Sequence, residues 1–497
     1  MERRFRGIAD ETTQNVRHAC RSLLRSPGFA VAAFATLLIG AAASVAIFAV
    51  VDGILLRPLP YKQPDRLVGA WHDMPPVNLY HAQQSVTTYF TYRTQTHTIE
   101  GIGIYKEGSA NVAVPGQATD PQRLDIANAS ASLFTVLGSP ALVGRAFNDD
   151  EDAVGAAPVA LISEGTWRGS FGADPQVIGR ALDVNGVTRR IVGVMPASFR
   201  LPSPETAVWI PLNVDPANPP ADAFAYTAIA RLKPHVTIAE AQRDFTAVLP
   251  RVSELYPNFV PGITTRQIME QTRPRLVLTP LSDDITGGVA RTVWIVAGAA
   301  FLLFLVACIN VGNLTLVRFE ARQRELAMRQ ALGAGRARVA RYYVTELALI
   351  AAAAAVLSVV FADVAVKLFA NNGRVDIPRV AELAIHSRSI GFALVLAAVA
   401  TLISTALPVL RIHRGVLALH GSTRSATAGR RAHRTRRALV AGQVAIALVV
   451  LSGSGLLFRS FRRLHAVRLG FDPANVATFW VSLPKSRYAD DALSGRF

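Results

Sequence analysis

Five apolar runs of twenty residues or more constrain this chain more than anything else in its sequence. A helix of about 20 such residues is long enough to cross a bilayer. The runs are Gly28–Val51, Thr292–Val317, Tyr343–Phe369, Ser389–Leu410 and Ala438–Phe458. Between the first two lies a long segment of mixed composition, Gly53 to Ala290, that is too polar to span. The pattern is that of a multi-pass membrane protein with one large extramembranous insert. A cleaved signal peptide is the rival reading of the first run, since Ala41, Ala42 and Ala43 resemble a cleavage site. The run is longer than a signal core of roughly 7–15 residues and follows a long basic leader, so it reads as an uncleaved anchor.

Charge sets the orientation. The 497 residues carry a net +17, which by itself would suggest nucleic acid. The basic residues are concentrated beside the apolar runs. Met1–Arg25 has six Arg against three acids, Arg318–Arg341 seven against two, and Arg411–Arg437 eight against none. Gly53–Ala290 holds 19 Lys plus Arg and 22 Asp plus Glu. This is the positive-inside distribution, not the basic stripe with readout elements of a nucleic-acid binder. It places the N-terminus and the 318–341 and 411–437 segments in the cytoplasm and the insert outside. A short outer loop, around Asn371 to Arg388, then joins the third and fourth runs. Arg459, Arg462 and Arg463 would lie on the outer side of the fifth run, against the rule, and the Arg-rich segment before that run outweighs them.

The insert reads as an α+β domain. Ile178–Val184 and Ile191–Met195 flank Asn185-Gly186, a hairpin turn signal. Ala228–Leu232 is another strand. Thr237-Ile-Ala-Glu240 fits a capping box, with Phe245, Leu249 and Val252 on one helical face and Pro250 shortening the helix. Pro202–Pro220 reads as surface loop, and Gly421–Arg437 as a flexible linker. Cys20 precedes the first apolar run and Cys308 lies inside the second, so they imply no disulfide framework.

Chemistry-bearing motifs are scarce. No Gly-Lys dipeptide occurs, so a Walker A loop is absent. Leu451-Ser-Gly-Ser-Gly455 imitates an ABC signature but lies inside an apolar run, where small residues serve helix packing. No Cys/His spacing suggests a metal site. The acidic run Asp149–Asp152 reads as a solvated loop in preference to a cation site. Asp363 and Lys367 form an i,i+4 pair at the membrane edge. Asn310 and Asn313 read as interhelical hydrogen-bonding groups in preference to a conduit lining. Neither catalysis by this chain nor a cofactor is expected.

The segment Phe319–Glu346, FEARQRELAMRQALGAGRARVARYYVTE, is rich in strong helix formers interrupted by Gly333 and Gly335. Glu325 and Arg329 stand at i,i+4. On physical grounds alone it is either an element for a cytoplasmic partner or a solvated basic loop that only obeys the orientation rule.

Several stretches carry a family likeness. Arg21–Val68 resembles the start of the MacB/FtsX-like ABC permeases, in particular the duplicated branch that lacks its own ATPase. Arg324–Glu346 is similar to that family's coupling segment. Val159–Phe199 and Ala230–Gln242 resemble its MacB-type periplasmic core, and the fifth run followed by Gly470-Phe-Asp-Pro473 resembles the opening of a second repeat. The resemblance implies an α-helical transmembrane protein of about five spans, with an α+β MacB-type periplasmic core domain between the first and second. The implied organisation is a cytoplasmic amphipathic leader (1–27), a first span (28–51) and a periplasmic core (52–291). An FtsX-like permease domain (292–410) with a coupling loop (318–342) follows, then a basic linker (411–437), a fifth span (438–458) and a second repeat that starts and is cut short (459–497). The implied mechanism is mechanotransmission, in which a separate ABC ATPase docks on the cytoplasmic loops and its closure is relayed to the periplasmic domain. The expected location is the bacterial inner membrane. Glu325, Arg329, Leu332 and Gly333 would then belong to the ATPase contact. A homodimeric or second permease half, a periplasmic adaptor protein and the lipid bilayer are the further implied partners; nucleic acid is not. A second outer domain and three further helices are missing relative to the duplicated branch, so a truncated chain or pairing with another subunit is expected. Export and transmembrane signalling to an extracytoplasmic hydrolase or sensor are the competing functions.

Overall fold

The computed structural model describes residues 16–116, 120–219, 224–260, 262–322, 335–372, 383–413 and 425–465, together with 328 and 476. The chain divides into two compact units, a membrane unit (1–57 and 286–474) and a domain formed mainly by 58–285.

Five helices among the described residues are long and apolar enough to cross a membrane. The first span, Pro27–Val51, has proline at its first position, where the missing N–H costs no hydrogen bond. It continues into a π-turn, Asp52–Leu56. The others are Leu281–Ala321, Arg336–Asn372, Ser387–His413 and Ser425–His465. The second to fifth extend beyond the apolar runs at one or both ends, because polar ends continue a helix once the apolar middle has nucleated it. A preceding helix over residues 16–24 buries Ala19 and Ser22 and exposes Arg17, Arg21 and Arg25, as an amphipathic leader should.

Small residues bring the first four spans together. Ala33, Leu37, Val45, Phe304, Cys308, Leu347, Ala351, Ala354, Ala393 and Leu396 form one buried cluster. At Gly40 an added Cβ would lie 3.0 Å from Ala307 Cβ and 3.3 Å from the Phe304 backbone, a close approach that the small residue permits. Ser44 Oγ donates to the Ala300 carbonyl (3.2 Å), and Ser404 Oγ to that of Cys308 (3.0 Å). Phe48 and Phe392 stack with centroids 4.2 Å apart. Lys367 and Asp363 pair at 2.7 Å, as the i,i+4 spacing predicts. Asn310 accepts from Gln443 Nε2 of the fifth span (2.8 Å), so it is an interhelical hydrogen-bonding group. Gly453 and Gly455 have nothing within 4 Å where a Cβ would stand, among the described residues of this chain.

The domain is built on strands β1 (Leu67–Met74), β2 (Leu79–Ala82), β3 (Ile99–Ala113), β4 (Gln122–Ala129), β5 (Val143–Gly144), β6 (Val159–Ser163), β7 (Ala181–Val184), β8 (Val187–Met195), β9 (Val208–Pro211), β10 (Thr227–Leu232), β11 (Asn258–Val260), β12 (Ile263–Thr264) and β13 (Arg275–Pro280). Its helices are α1 (Val86–Gln95), α2 (Ala131–Leu137), α3 (Glu164–Phe171), α4 (Ile238–Val248), α5 (Arg251–Leu255) and α6 (Thr265–Thr272). Eleven strands form one mixed sheet in the order β13-β1-β10-β3-β4-β9-β6-β8-β5, with β2 on β1 and β7 bridging β3 and β8. Tyr89, Tyr92, Phe245, Leu249 and Val252 of α1 and the α4–α5 region fill a core with β1, β3, β10 and β13. A second core, around Phe134, Phe199 and Trp209, includes Leu67, Tyr105 and Ile229, which alternate with first-core residues along β1, β3 and β10 and so face the other side of the sheet.

Several local expectations appear as drawn. The β7–β8 hairpin turns at Asn185 (φ 54°) and Gly186 (φ 80°), the left-handed pair that a tight hairpin needs. Its first strand starts at Ala181, not Ile178, because Gly179 at φ 89° breaks the extended run. Thr237 and Glu240 form the reciprocal capping box, and Pro250 divides α4 from α5. Two expectations are corrected. Pro202–Pro220 is not all loop, since Val208–Pro211 is a buried strand paired with β4 and β6; three consecutive apolar residues outweigh the flanking prolines. Nor is Asp149–Asp152 a merely solvated run. Asp152 accepts from the backbone N–H groups of Ala131 (3.1 Å), Leu212 (2.8 Å) and Asn213 (3.4 Å), and Asp149 pairs with Arg93 (3.1 Å).

Candidate functional site

The end of the second span and the start of the third are separated in sequence by residues 322–335, and charged side chains gather where the two helices meet. Arg318, one turn from the end of the second span, forms an ion pair with Glu346 of the third at 2.8 Å. Their side chains are 10% and 4% exposed. An unpaired charge at that depth would cost several kcal/mol, and a second guanidinium nitrogen is engaged by the neighbouring serines. Arg318 Nη2 donates to Ser26 Oγ (2.7 Å) and Ser22 Oγ (3.0 Å). Its guanidinium carbon lies 4.4 Å from the centre of the Phe29 ring, a cation–π distance. Arg322 adds a donor to Ser22 Oγ at 3.2 Å.

An apolar layer joins the charged one. Phe319, Val339, Ala340, Tyr343 and Ile412 are buried together, and Phe319 meets Tyr343 edge-on with centroids 5.7 Å apart. The junction thus draws on the leader helix (Ser22), the first span (Phe29), the second (Arg318, Phe319), the third (Tyr343, Glu346) and the fourth (Ile412). The ends of the second and third spans are thus held to each other, to the leader helix, to the first span and to the fourth. Among the described residues no group of three or more His, Cys, Asp or Glu is placed to hold a metal ion.

At the other end of the membrane unit, buried Asp52 of the π-turn accepts from Arg388 Nη1 at 3.1 Å, tying the end of the first span to the start of the fourth.

The residues expected to form the ATPase contact, Glu325, Arg329, Leu332 and Gly333, lie outside the described residues. Gly335 is described and immediately precedes the third span. The Arg318–Glu346 pair was not singled out from the sequence. A usable signal was there: Glu346 is an acid immediately before a continuous apolar run, and an ionisable group at membrane depth calls for a named partner on a neighbouring helix.

Comparison with known proteins follows the same division. Residues 30–248 match the MacB-like periplasmic core domain, and residues 297–416 match the FtsX-like permease C-terminal domain. The macrolide export ATP-binding/permease protein MacB of Marinobacter nauticus is 24% identical over 249 residues, which is 50% of this chain and 36% of that protein. Its namesake in Burkholderia thailandensis is 26% identical over 220 residues, 43% of this chain and 30% of that protein. The chain therefore spans about a third of the length of these curated relatives. The solved periplasmic region of MacB from Actinobacillus actinomycetemcomitans aligns at 13% identity with a TM-score of 0.32, covering 48% of this chain and 95% of that one.

Proposed function

Because this chain belongs to the MacB/FtsX-like permeases, with the periplasmic core domain followed by the permease domain, we propose that it is the membrane subunit of an ABC-type exporter and works by mechanotransmission. It is a multi-pass inner-membrane protein. ATP hydrolysis is assigned to a separate polypeptide that docks on the segment between the second and third spans. Glu325, Arg329, Leu332 and Gly333 are the proposed contact.

The observation that carries this reading is the Arg318–Glu346 junction. A loop that only obeyed the orientation rule would need no buried ion pair where its two flanking helices meet. A loop that is pushed by a partner needs helix ends that move as one body, and a buried ion pair between them, backed by the Arg318 Nη2 bonds to Ser22 and Ser26, provides that. The periplasmic domain then executes the work, without cargo having to cross the inner membrane.

Co-purification from native membranes tests the docking. An ABC ATPase should be retained by the wild-type chain and lost with Gly333→Pro or Glu325→Arg. Equal retention by all three chains would overturn the proposed contact. The FtsX-like match of the permease half favours one second reading, a transducer that activates an extracytoplasmic partner. ATP-dependent release of cargo from cells separates the two, since the transducer requires ATPase binding without it.

A further inference from the structure

The second span starts inside the periplasmic domain's own unit, and the way its first turn is seated is specific. Leu281 is buried in the core of that unit. Asp284, one turn on, accepts a hydrogen bond from Trp71 Nε1 of β1 at 2.7 Å and another from Thr279 Oγ1 of β13. β1 and β13 are antiparallel neighbours in which Gly69 faces Thr279 and Trp71 faces Val277. The carboxylate rests over Gly69: a Cβ there would overlap it and come within 2.9 Å of Trp71 Nε1. The Trp71 ring is in turn stacked on His81, with centroids 5.2 Å apart.

An acid in the first turn of a helix is ordinarily explained by the helix dipole. That explanation is already met by Asp283, which is exposed in the same turn. It does not account for an indole donor, a threonine donor and a side-chain-free seat all converging on the next residue. We infer that Asp284 is a positioning residue that locks the start of the second span to strands β1 and β13, so that displacement of this helix is delivered to the periplasmic sheet through the Trp71–Asp284 hydrogen bond. The helix is one 41-residue element that ends beside the coupling segment. A continuous α-helix is a stiff connector, because its backbone hydrogen bonds are satisfied within it. The inference rests on the mechanotransmission reading and adds the residue where transmission reaches the sheet.

The test needs neither the ATPase nor the cargo. The full chain is placed in lipid nanodiscs and hydrogen exchange is followed on peptides covering 67–74 and 275–280. The input is release of the cytoplasmic junction by Glu346→Gln, or by the milder Ser26→Ala should the first variant misfold. In the wild-type background the input should accelerate exchange in both strands about threefold, as a local loss of protection would. With Trp71→Phe or Gly69→Ala the same input should leave the strands unchanged. Asp284→Asn, which keeps an acceptor for the indole, should preserve the response, whereas Asp284→Ala should abolish it. Equal acceleration with and without the clamp, or no acceleration in either background, would overturn the inference. Neither result depends on ATPase docking, so failure here and failure of the proposed ATPase contact are separable.

Discussion

Glu346 of the third span and Arg318 of the second meet at 2.8 Å, both buried in the membrane unit, although 27 residues separate them in sequence. Breaking such a pair from one side leaves a charge without its partner. Glu346→Gln or Arg318→Met should each destabilise the chain by about 3–5 kcal/mol. Replacing both, with Glu346→Leu and Arg318→Met, should recover most of that loss, because two apolar side chains leave no orphan. Thermal unfolding of detergent-solubilised protein measures it; additive losses in the double variant would show that the two side chains are not coupled.

Gly40 sets how closely the first and second spans approach. Gly40→Val places branched carbons against Ala307 Cβ and the Phe304 backbone. The expected cost is about 1–3 kcal/mol, with Gly40→Ala at the low end because only the 3.0 Å contact to Ala307 must relax. The graded order, measured as a thermal midpoint in one lipid composition, is the check.

His72 provides a pH signature for the periplasmic domain. It is buried in the sheet with Nε2 3.1 Å from the Tyr92 hydroxyl. Burial lowers its pKa from 6.5 to about 4, with the charge of Asp73 acting the other way. Between those values the unfolded chain holds a proton on this ring that the folded chain rejects. Stability is therefore full above pH 6.5 and falls as pH drops towards 4, by about 3 kcal/mol over the window. Tryptophan emission during thermal unfolding at pH 7, 6, 5 and 4 should show this slope, and His72→Gln should flatten it. A slope unchanged by the substitution would assign the pH dependence elsewhere.

Asp152 joins the start of α2 to the end of β9 through three backbone donors. Asp152→Ala leaves those N–H groups without their acceptor and should cost about 2 kcal/mol, while Asp152→Asn should cost less. Because these oxygens are already engaged, millimolar calcium should not shift the unfolding midpoint of the wild-type chain. A calcium-dependent rise lost in Asp152→Ala would restore the cation-site reading.

The membrane segments were legible because crossing a bilayer requires about 20 apolar residues in sequence, and arginine placement orients them. Asn185-Gly186 and Thr237–Glu240 were legible because each motif closes on itself within four residues. What escaped was non-local. Val208–Pro211 is short, lies among prolines, and becomes a strand only when β4 and β6 take its backbone hydrogen bonds. Asp152 looks solvated until the chain 60 residues on returns to it. Asp52 and Arg388 are 336 residues apart, and no local pattern links them. The Arg318–Glu346 pair was likewise not legible, because it depends on the packing of the spans, and the expected contact residues Glu325, Arg329, Leu332 and Gly333 lie outside the described residues.

The most direct measurement is the ATP turnover of the co-purifying ATPase, reconstituted in nanodiscs with this chain or with its Glu346→Gln variant. If the junction transmits force between a docked ATPase and the helices, the wild-type chain should change the turnover rate severalfold, and the variant should still bind but lose that effect. Identical turnover with wild type, with variant and without the chain would contradict the account.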